Sequence, residues 1–331
     1  MTGGAGFIGS NFVHYWFKNH PDDQLIVLDK LTYAGNLENL ADVKNHITFI
    51  KGDICDEAVV DQSLKKVDTV VHFAAESHVD RSISGPDEFV RTNVLGTHQL
   101  LKSARKNNTK RFHHVSTDEV FGSLALDSQE KWTESTPYNP RSPYSASKAA
   151  SDHLVRAYYH TYNLPITISN CANNIGPFMF PEKLIPLAIT NLLEGKKVPI
   201  YKPGNQTREW LFVEDHCSGI EAILEKGKIG ETYFIGPDNP ELTNLEVIKK
   251  LLKLMKLPED QIEFIGDRPG HDQKYALDHS KITQELGWRP KFGLDESLKL
   301  VVDWYKQNKD WWKRVKSGEY QKYYEQQYKQ K

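Results

Sequence analysis

The sequence predicts an α/β fold, a doubly wound parallel sheet followed by a smaller, loop-rich second domain. Three observations carry this prediction: a glycine-spaced turn at the start, short apolar strands alternating with helical stretches, and a change of pattern after Asn173. Gly3, Gly6 and Gly9 recur at every third residue around the apolar pair Phe7-Ile8. Without β-carbons the backbone can turn tightly there and approach a pyrophosphate, and the helix that follows offers its N-terminus to the anion. Only Met1 and Thr2 precede Gly3, so the buried strand that should lead into such a turn is expected to lie outside this sequence.

The first strand visible in the pattern, Leu25-Ile26-Val27-Leu28, ends at Asp29. A carboxylate at that distance from the turn would accept hydrogen bonds from an adenosine ribose and repel an additional phosphate, which points to NAD rather than NADP. Apolar segments follow at Ile47 to Ile50, Thr69 to Phe73, Phe112 to Ser116 and Ile166 to Ser169, with helical stretches at Glu88 to Lys106 and Tyr144 to Tyr162. This βαβ rhythm marks residues 1–172 as a Rossmann-type NAD-binding domain. Beyond it the chain is punctuated by Gly176-Pro177, Phe180-Pro181, Ile185-Pro186, Val198-Pro199 and Lys202-Pro203-Gly204. Residues 173–331 are therefore expected to form mainly a smaller C-terminal substrate-binding domain, with about 209–236 returning to the sheet. The polar aromatic tail from Tyr320 to Lys331 is expected to fray or to pack as a terminal helix.

Composition narrows the function. The 331 residues, 39% hydrophobic, suffice for a proper core. A formal net charge of -2 leaves no broad basic surface for nucleic acid. No stretch approaches the roughly 18 apolar residues that span a membrane. Cys55, Cys171 and Cys217 are too scattered for a disulfide framework or a zinc knuckle, and no signal segment opens the sequence, so a cytoplasmic protein is expected. Thirteen histidines include no His-x-x-x-His pair beside carboxylates, and His113-His114 falls on a strand where neighbours face opposite sides; no metal is expected.

Two constellations carry chemistry. Tyr144 and Lys148 stand four apart at the start of a helix signalled by Ser142-Pro143, so both project from one face. A phenol titrates near about 10, but a nearby ammonium and a positive nicotinamide ring would both favour the phenolate and make it a base for a substrate hydroxyl. Val115-Ser116-Thr117 ends a strand, and ligands in doubly wound sheets sit just beyond such ends, which brings Asp118 and Glu119 to the substrate. Two adjacent carboxylates in a closed pocket cannot both ionise cheaply, so one should stay protonated while the other acts as base. The plainer alternative has Asp118 capping a turn and Glu119 facing solvent, and neighbours on extended backbone would point apart unless the strand has already ended.

Longer runs add a resemblance. Asp29-Lys30-Leu31-Thr32-Tyr33-Ala34-Gly35-Asn36, Ala74-Ala75-Glu76-Ser77-His78-Val79-Asp80-Arg81-Ser82, Ser116-Thr117-Asp118-Glu119-Val120, Pro143-Tyr144-Ser145-Ala146-Ser147-Lys148, Pro181-Glu182-Lys183-Leu184-Ile185-Pro186 and Asp267-Arg268-Pro269-Gly270-His271-Asp272 are similar to the dTDP-glucose 4,6-dehydratase family of extended short-chain dehydrogenase/reductases. The resemblance extends from Thr2 to about the tail. It implies conversion of dTDP-glucose to dTDP-4-keto-6-deoxyglucose, as in dTDP-rhamnose-type deoxysugar biosynthesis. In that reaction Tyr144 and Thr117 act at the 4-hydroxyl, Lys148 holds the nicotinamide ribose, Glu119 removes the proton at carbon 5 and Asp118 protonates the hydroxyl leaving carbon 6. It further implies that Gly3, Gly6, Phe7, Ile8, Gly9, Asp29, Lys30, Leu31, Thr32, Asp53, Ile54, Phe73, Ala74, Ala75, Ser77, Thr92, Tyr144, Lys148 and Asn174 contact NAD. Ser77, Thr117, Asn173, Lys183, Leu184, Pro199, Tyr201, Arg208, Asn244, Asp267, Arg268 and His271 would hold the nucleotide sugar, arginine suiting its diphosphate.

Three positions depart from the family pattern: Phe121 in place of a tyrosine, Ile175 in place of an aromatic residue, and Lys202-Pro203-Gly204 in place of a glycine-rich turn. Apolar positions such as Val90, Val94 and Leu101, or Leu154, Ala157 and Tyr158, fit packing within one subunit as well as a helix bundle between two; the resemblance implies a homodimer. A nucleotide-sugar 4-epimerase would share Tyr144 and NAD but has no use for Asp118-Glu119, and a non-catalytic NAD-binding regulator has no use for either constellation.

Overall fold

The computed structural model describes residues 1–317, and the tail from Tyr320 lies outside the described residues. The apolar runs form parallel strands β1 (Leu25–Asp29), β2 (Ile47–Lys51), β3 (Thr69–His72), β4 (Arg111–Thr117) and β5 (Ile166–Cys171), and Thr232–Ile235 adds β6 beside β5. Pairing runs β2-β1 on one side and β3-β4-β5-β6 on the other. Met1 and Thr2 join the two halves. Thr2 bridges Leu28 and His72 in parallel, its amide donates to the Val71 carbonyl at 3.0 Å, and the Leu28 amide donates to the Met1 carbonyl at 2.9 Å. Met1 and Thr2 therefore lie at the place between β1 and β3 where the leading strand is expected, and the backbone of Thr2 meets a neighbouring strand on each side.

Helix α1 (Phe7–Asn19) follows the glycine turn and buries Phe12 and Val13. Helix α2 (Thr97–Lys106) ends the stretch expected from Glu88, whose middle is a π-turn over Val90–Gly96 rather than a regular helix. A β-carbon on Gly96 would lie 2.5 Å from the Ile54 side chain, so that turn packs directly on the cofactor-side loop. Helix α3 (Pro143–Tyr162) starts where Ser142-Pro143 predicts: the Ser142 and Ser145 side chains form a reciprocal cap, with proline in the first turn. Its inner stripe carries Tyr144, Lys148, Asp152 and Val155 at four-residue and shorter steps.

A second core gathers Ile185, Val198, Trp210, Leu251, Val301 and Tyr305. Here short strands pair: Val198–Tyr201 with Ile262–Ile265, Thr207–Arg208 with Leu242–Thr243, and Asn173–Ile175 with Trp210–Phe212. From Trp210–Phe212 the chain enters α4 (Val213–Lys226), which leads to β6 in the main sheet. Two of the departures are packing positions: Phe121 lies among Trp132, Tyr138 and Phe234, and Ile175 is fully buried in the second core.

Candidate active site

Beyond the carboxyl ends of β1, β3, β4 and β5 lies a cavity of about 300 Å³. Its floor is the glycine turn. Gly3 has φ +68°, and a β-carbon there would meet the Ala74 amide at 2.6 Å; one on Gly9 would meet the Gly3 carbonyl at 2.2 Å. At Gly6 the nearest contact would be 3.4 Å away, so that position is open toward a ligand. This graded crowding fits a dinucleotide: two glycines close the turn and the third leaves room for the pyrophosphate. Asp29, buried at the end of β1, accepts the Ala5 amide at 2.9 Å and the Leu31 amide at 2.8 Å, which fixes its carboxylate toward the cavity. Asp53 is held by Lys30 at 2.9 Å and by the Cys55 amide.

The expected cofactor residues Gly3, Gly6, Phe7, Ile8, Gly9, Asp29, Lys30, Thr32, Asp53 and Ile54 line this cavity, as do Phe73, Ala74, Ala75, Ser77, Thr92, Tyr144, Lys148 and Asn174. Leu31 does not. Its backbone takes a left-handed φ of 57°, and its side chain turns away to pack with the Ala5, Val13 and Val27 cluster.

At the other end of the cavity β4 stops at Thr117, and Asp118–Phe121 form a 3₁₀ turn. The Thr117 hydroxyl accepts the Glu119 amide at 3.2 Å and donates to the Asp118 carboxyl at 3.1 Å. A 3₁₀ turn separates successive side chains by about a third of a rotation rather than the half-turn of a strand. Asp118 and Glu119 therefore both reach the cavity wall, together with Tyr144 and Lys148.

The two carboxyl groups differ. Burial, then repulsion from Glu119, raises Asp118 well above the usual carboxylate range, and its Oδ2 has no hydrogen-bond partner. Burial also raises Glu119, but Lys183, Arg268 and Arg208 pull it back. Asp118 is thus pushed further toward its protonated form than Glu119. Burial and Glu119 hold the Tyr144 phenol well above its ordinary value, while a hydrogen bond from Thr117 favours the anion. The Lys148 ammonium, which the sequence suggests as the phenol's tuner, donates to the Val115 carbonyl at 2.9 Å.

Of the expected sugar-side residues, Ser77, Thr117, Asn173 and Lys183 line the same cavity, and Lys183 donates to the Ser77 carbonyl at 2.8 Å. A neighbouring polar cluster holds others: Tyr201 donates to Asp80 at 2.8 Å, Arg268 pairs with Asp80, and His271 meets Asp267 at 2.7 Å. Arg208 stacks on Tyr275 at 3.9 Å and donates to the Asp272 carbonyl. Leu184, Pro199 and Asn244 are not in the cavity wall: Leu184 packs on the second core, Pro199 is buried in its strand, and the Asn244 amide closes onto Gln206 at the start of a helix.

Sequence reasoning assigns no role to Glu76 or Glu182, although both line the cavity. Glu182 accepts Tyr33 at 2.9 Å and Arg81 at 3.0 Å, tying the loop after β1 to the substrate side. Its position beside Lys183 was the available signal. Asp152 also continues the Tyr144-Lys148 stripe by one more turn.

The sequence pattern of the GDP-mannose 4,6 dehydratase family matches residues 1–301. A dTDP-glucose 4,6-dehydratase of Mycobacterium tuberculosis is 48% identical over 326 residues, 98% of each chain. The crystal structure of DesIV, a dTDP-glucose 4,6-dehydratase from Streptomyces venezuelae solved with NAD, superposes with a TM-score of 0.92 at 48% identity, covering 95% of this chain and 98% of that one. A UDP-glucose 4-epimerase of Thermotoga maritima has the same fold, with a TM-score of 0.85 over 92% of this chain and 97% of that one, but is 29% identical.

Proposed function

This chain belongs to the dTDP-glucose 4,6-dehydratase family, and from that premise we propose that the cavity oxidises carbon 4 of dTDP-glucose, eliminates water across carbons 5 and 6, and reduces carbon 6. The observation that carries this reading is the unequal carboxyl pair Asp118 and Glu119 beside Tyr144. Bound NAD supplies a hydride acceptor for carbon 4 and a hydride donor for carbon 6. Tyr144 takes the 4-hydroxyl proton, and the Thr117 hydroxyl steadies the phenolate by turning its one hydrogen from Asp118 to the tyrosine oxygen. Oxidation leaves a ketone that acidifies the neighbouring C–H bond. Glu119 removes the carbon 5 proton while Asp118 gives its proton to the carbon 6 hydroxyl, which departs as water. Glu119 then returns a proton to carbon 5, and the product is the 4-keto-6-deoxy sugar. Arg208 and Arg268 bind the diphosphate.

Incubation with dTDP-glucose and identification of the product by NMR tests the reading. The 4-keto-6-deoxy sugar is expected; dTDP-galactose would instead indicate the epimerase reaction. Residues 1–172 serve as the NAD domain and the remainder mainly binds the sugar nucleotide, with about 209–236 contributing to the sheet. No helix among the described residues is long and apolar enough to cross a membrane. The protein is read as a cytoplasmic homodimer, and the exposed apolar side chains Ile83, Val90 and Leu95 on neighbouring helical turns support the dimer.

Two outcomes follow from the geometry. Asp29→Ala is expected to narrow the preference for NAD over NADP more than it weakens NAD, because the pyrophosphate turn is untouched; titration with both dinucleotides measures this, and equal affinities in the unaltered protein would remove Asp29 from the role. The rate of dehydration is expected to be bell-shaped in pH. It falls as pH drops through the raised value of Glu119, which must be ionised, and falls again as pH rises through the higher value of Asp118, which must stay protonated. A rate still climbing where Asp118 has ionised would exclude it as the acid.

A further inference from the structure

Behind the Tyr144-Lys148 face lies a buried polar chain that none of the steps above uses. Asp152, on α3 one turn beyond Lys148, is fully buried. Its carboxylate accepts the Ser116 hydroxyl at 2.7 Å and the Tyr138 hydroxyl at 2.9 Å, and lies 3.1 Å from His114 Nε2. The same His114 nitrogen is 3.5 Å from the Lys148 ammonium. An ammonium without a counter-charge in so dry a place is strongly disfavoured, so a compensating charge is required somewhere near it.

We propose that Asp152 is the buried counter-charge of Lys148, a positioning residue that keeps the ammonium charged and directed at the cavity, with an uncharged His114 as the spacer between them. The surroundings agree. His114 is held down to about 4 by burial and by the nearby ammonium, so it is neutral at physiological pH. Burial works against the Asp152 anion, yet the Lys148 charge and the Ser116 hydroxyl are among the influences that keep it below its ordinary range. Burial depresses Lys148, and the largest opposing influence is the Asp152 charge. The other titratable groups facing this chain are His72, whose ring lies 5.2 Å from that of His114, and Cys171. Both are uncharged: burial lowers the first and raises the second. Arg156, on the outer side, donates to Tyr138. Asp152 is thus the anion that this buried lysine has at hand.

The proposal is tested by a cycle of Asp152→Asn, Lys148→Met and the double variant, unfolded by heat across a range of pH without added dinucleotide. Asparagine can still accept from Ser116 and Tyr138, so Asp152→Asn removes the charge with little change of shape. In that variant Lys148 titrates lower in the folded state than in the unfolded chain. The sign is then fixed: the loss of stability is full between the carboxylate and lysine ranges, shrinks as pH rises toward the free lysine's value, and disappears in acid where Asp152 of the unaltered protein is itself protonated. The double variant, with neither charge, is expected to regain most of the lost melting temperature and to lose this pH dependence. If Asp152→Asn does not fold, the double variant should still fold. With NAD and sugar nucleotide present, Asp152→Asn is expected to lower kcat about tenfold or more at unchanged KM, and to add nothing further in the Lys148→Met background. Additive losses in stability and rate, a pH-independent loss in the single variant, or a double variant that also fails to fold would each overturn the pairing and leave Asp152 as a hydrogen-bond scaffold.

Discussion

Asp118→Asn and Glu119→Gln should each stop dehydration while leaving the first oxidation intact. Both substitutions keep size and hydrogen-bonding shape but remove the one proton donor or the one proton acceptor on the 3₁₀ turn. Without Asp118 the carbon 6 hydroxyl must leave as hydroxide, and without Glu119 the acidified carbon 5 proton has no base. Removal of a positioned acid or base slows a proton-transfer step by about a hundredfold to ten-thousandfold. Tyr144, Lys148 and the glycine turn are untouched, so the nicotinamide absorbance of the reduced cofactor should build up with a 4-keto-glucose nucleotide that goes no further. The measurement is single-turnover absorbance with product analysis. Equal suppression of oxidation and dehydration would mean that the pair serves binding rather than elimination.

Tyr144→Phe is expected to act one step earlier. The phenol is buried, and burial together with Glu119 holds it well above its ordinary value. It can accept a proton efficiently only when the positive ring of the dinucleotide is beside it, which couples its basicity to cofactor binding. Replacement by phenylalanine removes that base and leaves the packing against Phe89 in place. Reduced cofactor and product should therefore both fall by on the order of a hundredfold or more, with sugar-nucleotide affinity little changed. Normal formation of the reduced cofactor in this variant would exclude Tyr144 as the base.

How far the site could be read from the sequence differed from part to part, for physical reasons. The glycine turn and Asp29 were legible because backbone constraints leave few residue choices: Gly3 requires a left-handed φ and Gly9 a bare β-position. The start of α3 was legible from Ser142-Pro143, and with it the shared face of Tyr144 and Lys148. The orientation of Asp118 and Glu119 was not, since it depends on whether the strand ends at Thr117, and the side-chain cap by Thr117 that ends it is seen only in the structure. Leu31 belonged to a recognisable run, yet its left-handed backbone turns its side chain into the core. The cluster of Tyr201, Arg268 and His271 around Asp80 joins distant parts of the chain, which no local pattern encodes. Asp152 lay in plain periodicity with Lys148, but its meaning needs His114 on β4.

The central claim, that hydride leaves carbon 4 and returns at carbon 6 with a proton exchanged at carbon 5, is tested most directly by isotope tracing. The unaltered protein would be given dTDP-glucose deuterated at carbon 4 in ordinary water and, separately, unlabelled substrate in heavy water. The first experiment should place the label on the carbon 6 methyl group, and the second should place solvent deuterium at carbon 5, because the proton carried by Glu119 exchanges with solvent. Label found back at carbon 4, with no solvent deuterium at carbon 5, would contradict the account and assign the site to epimerisation.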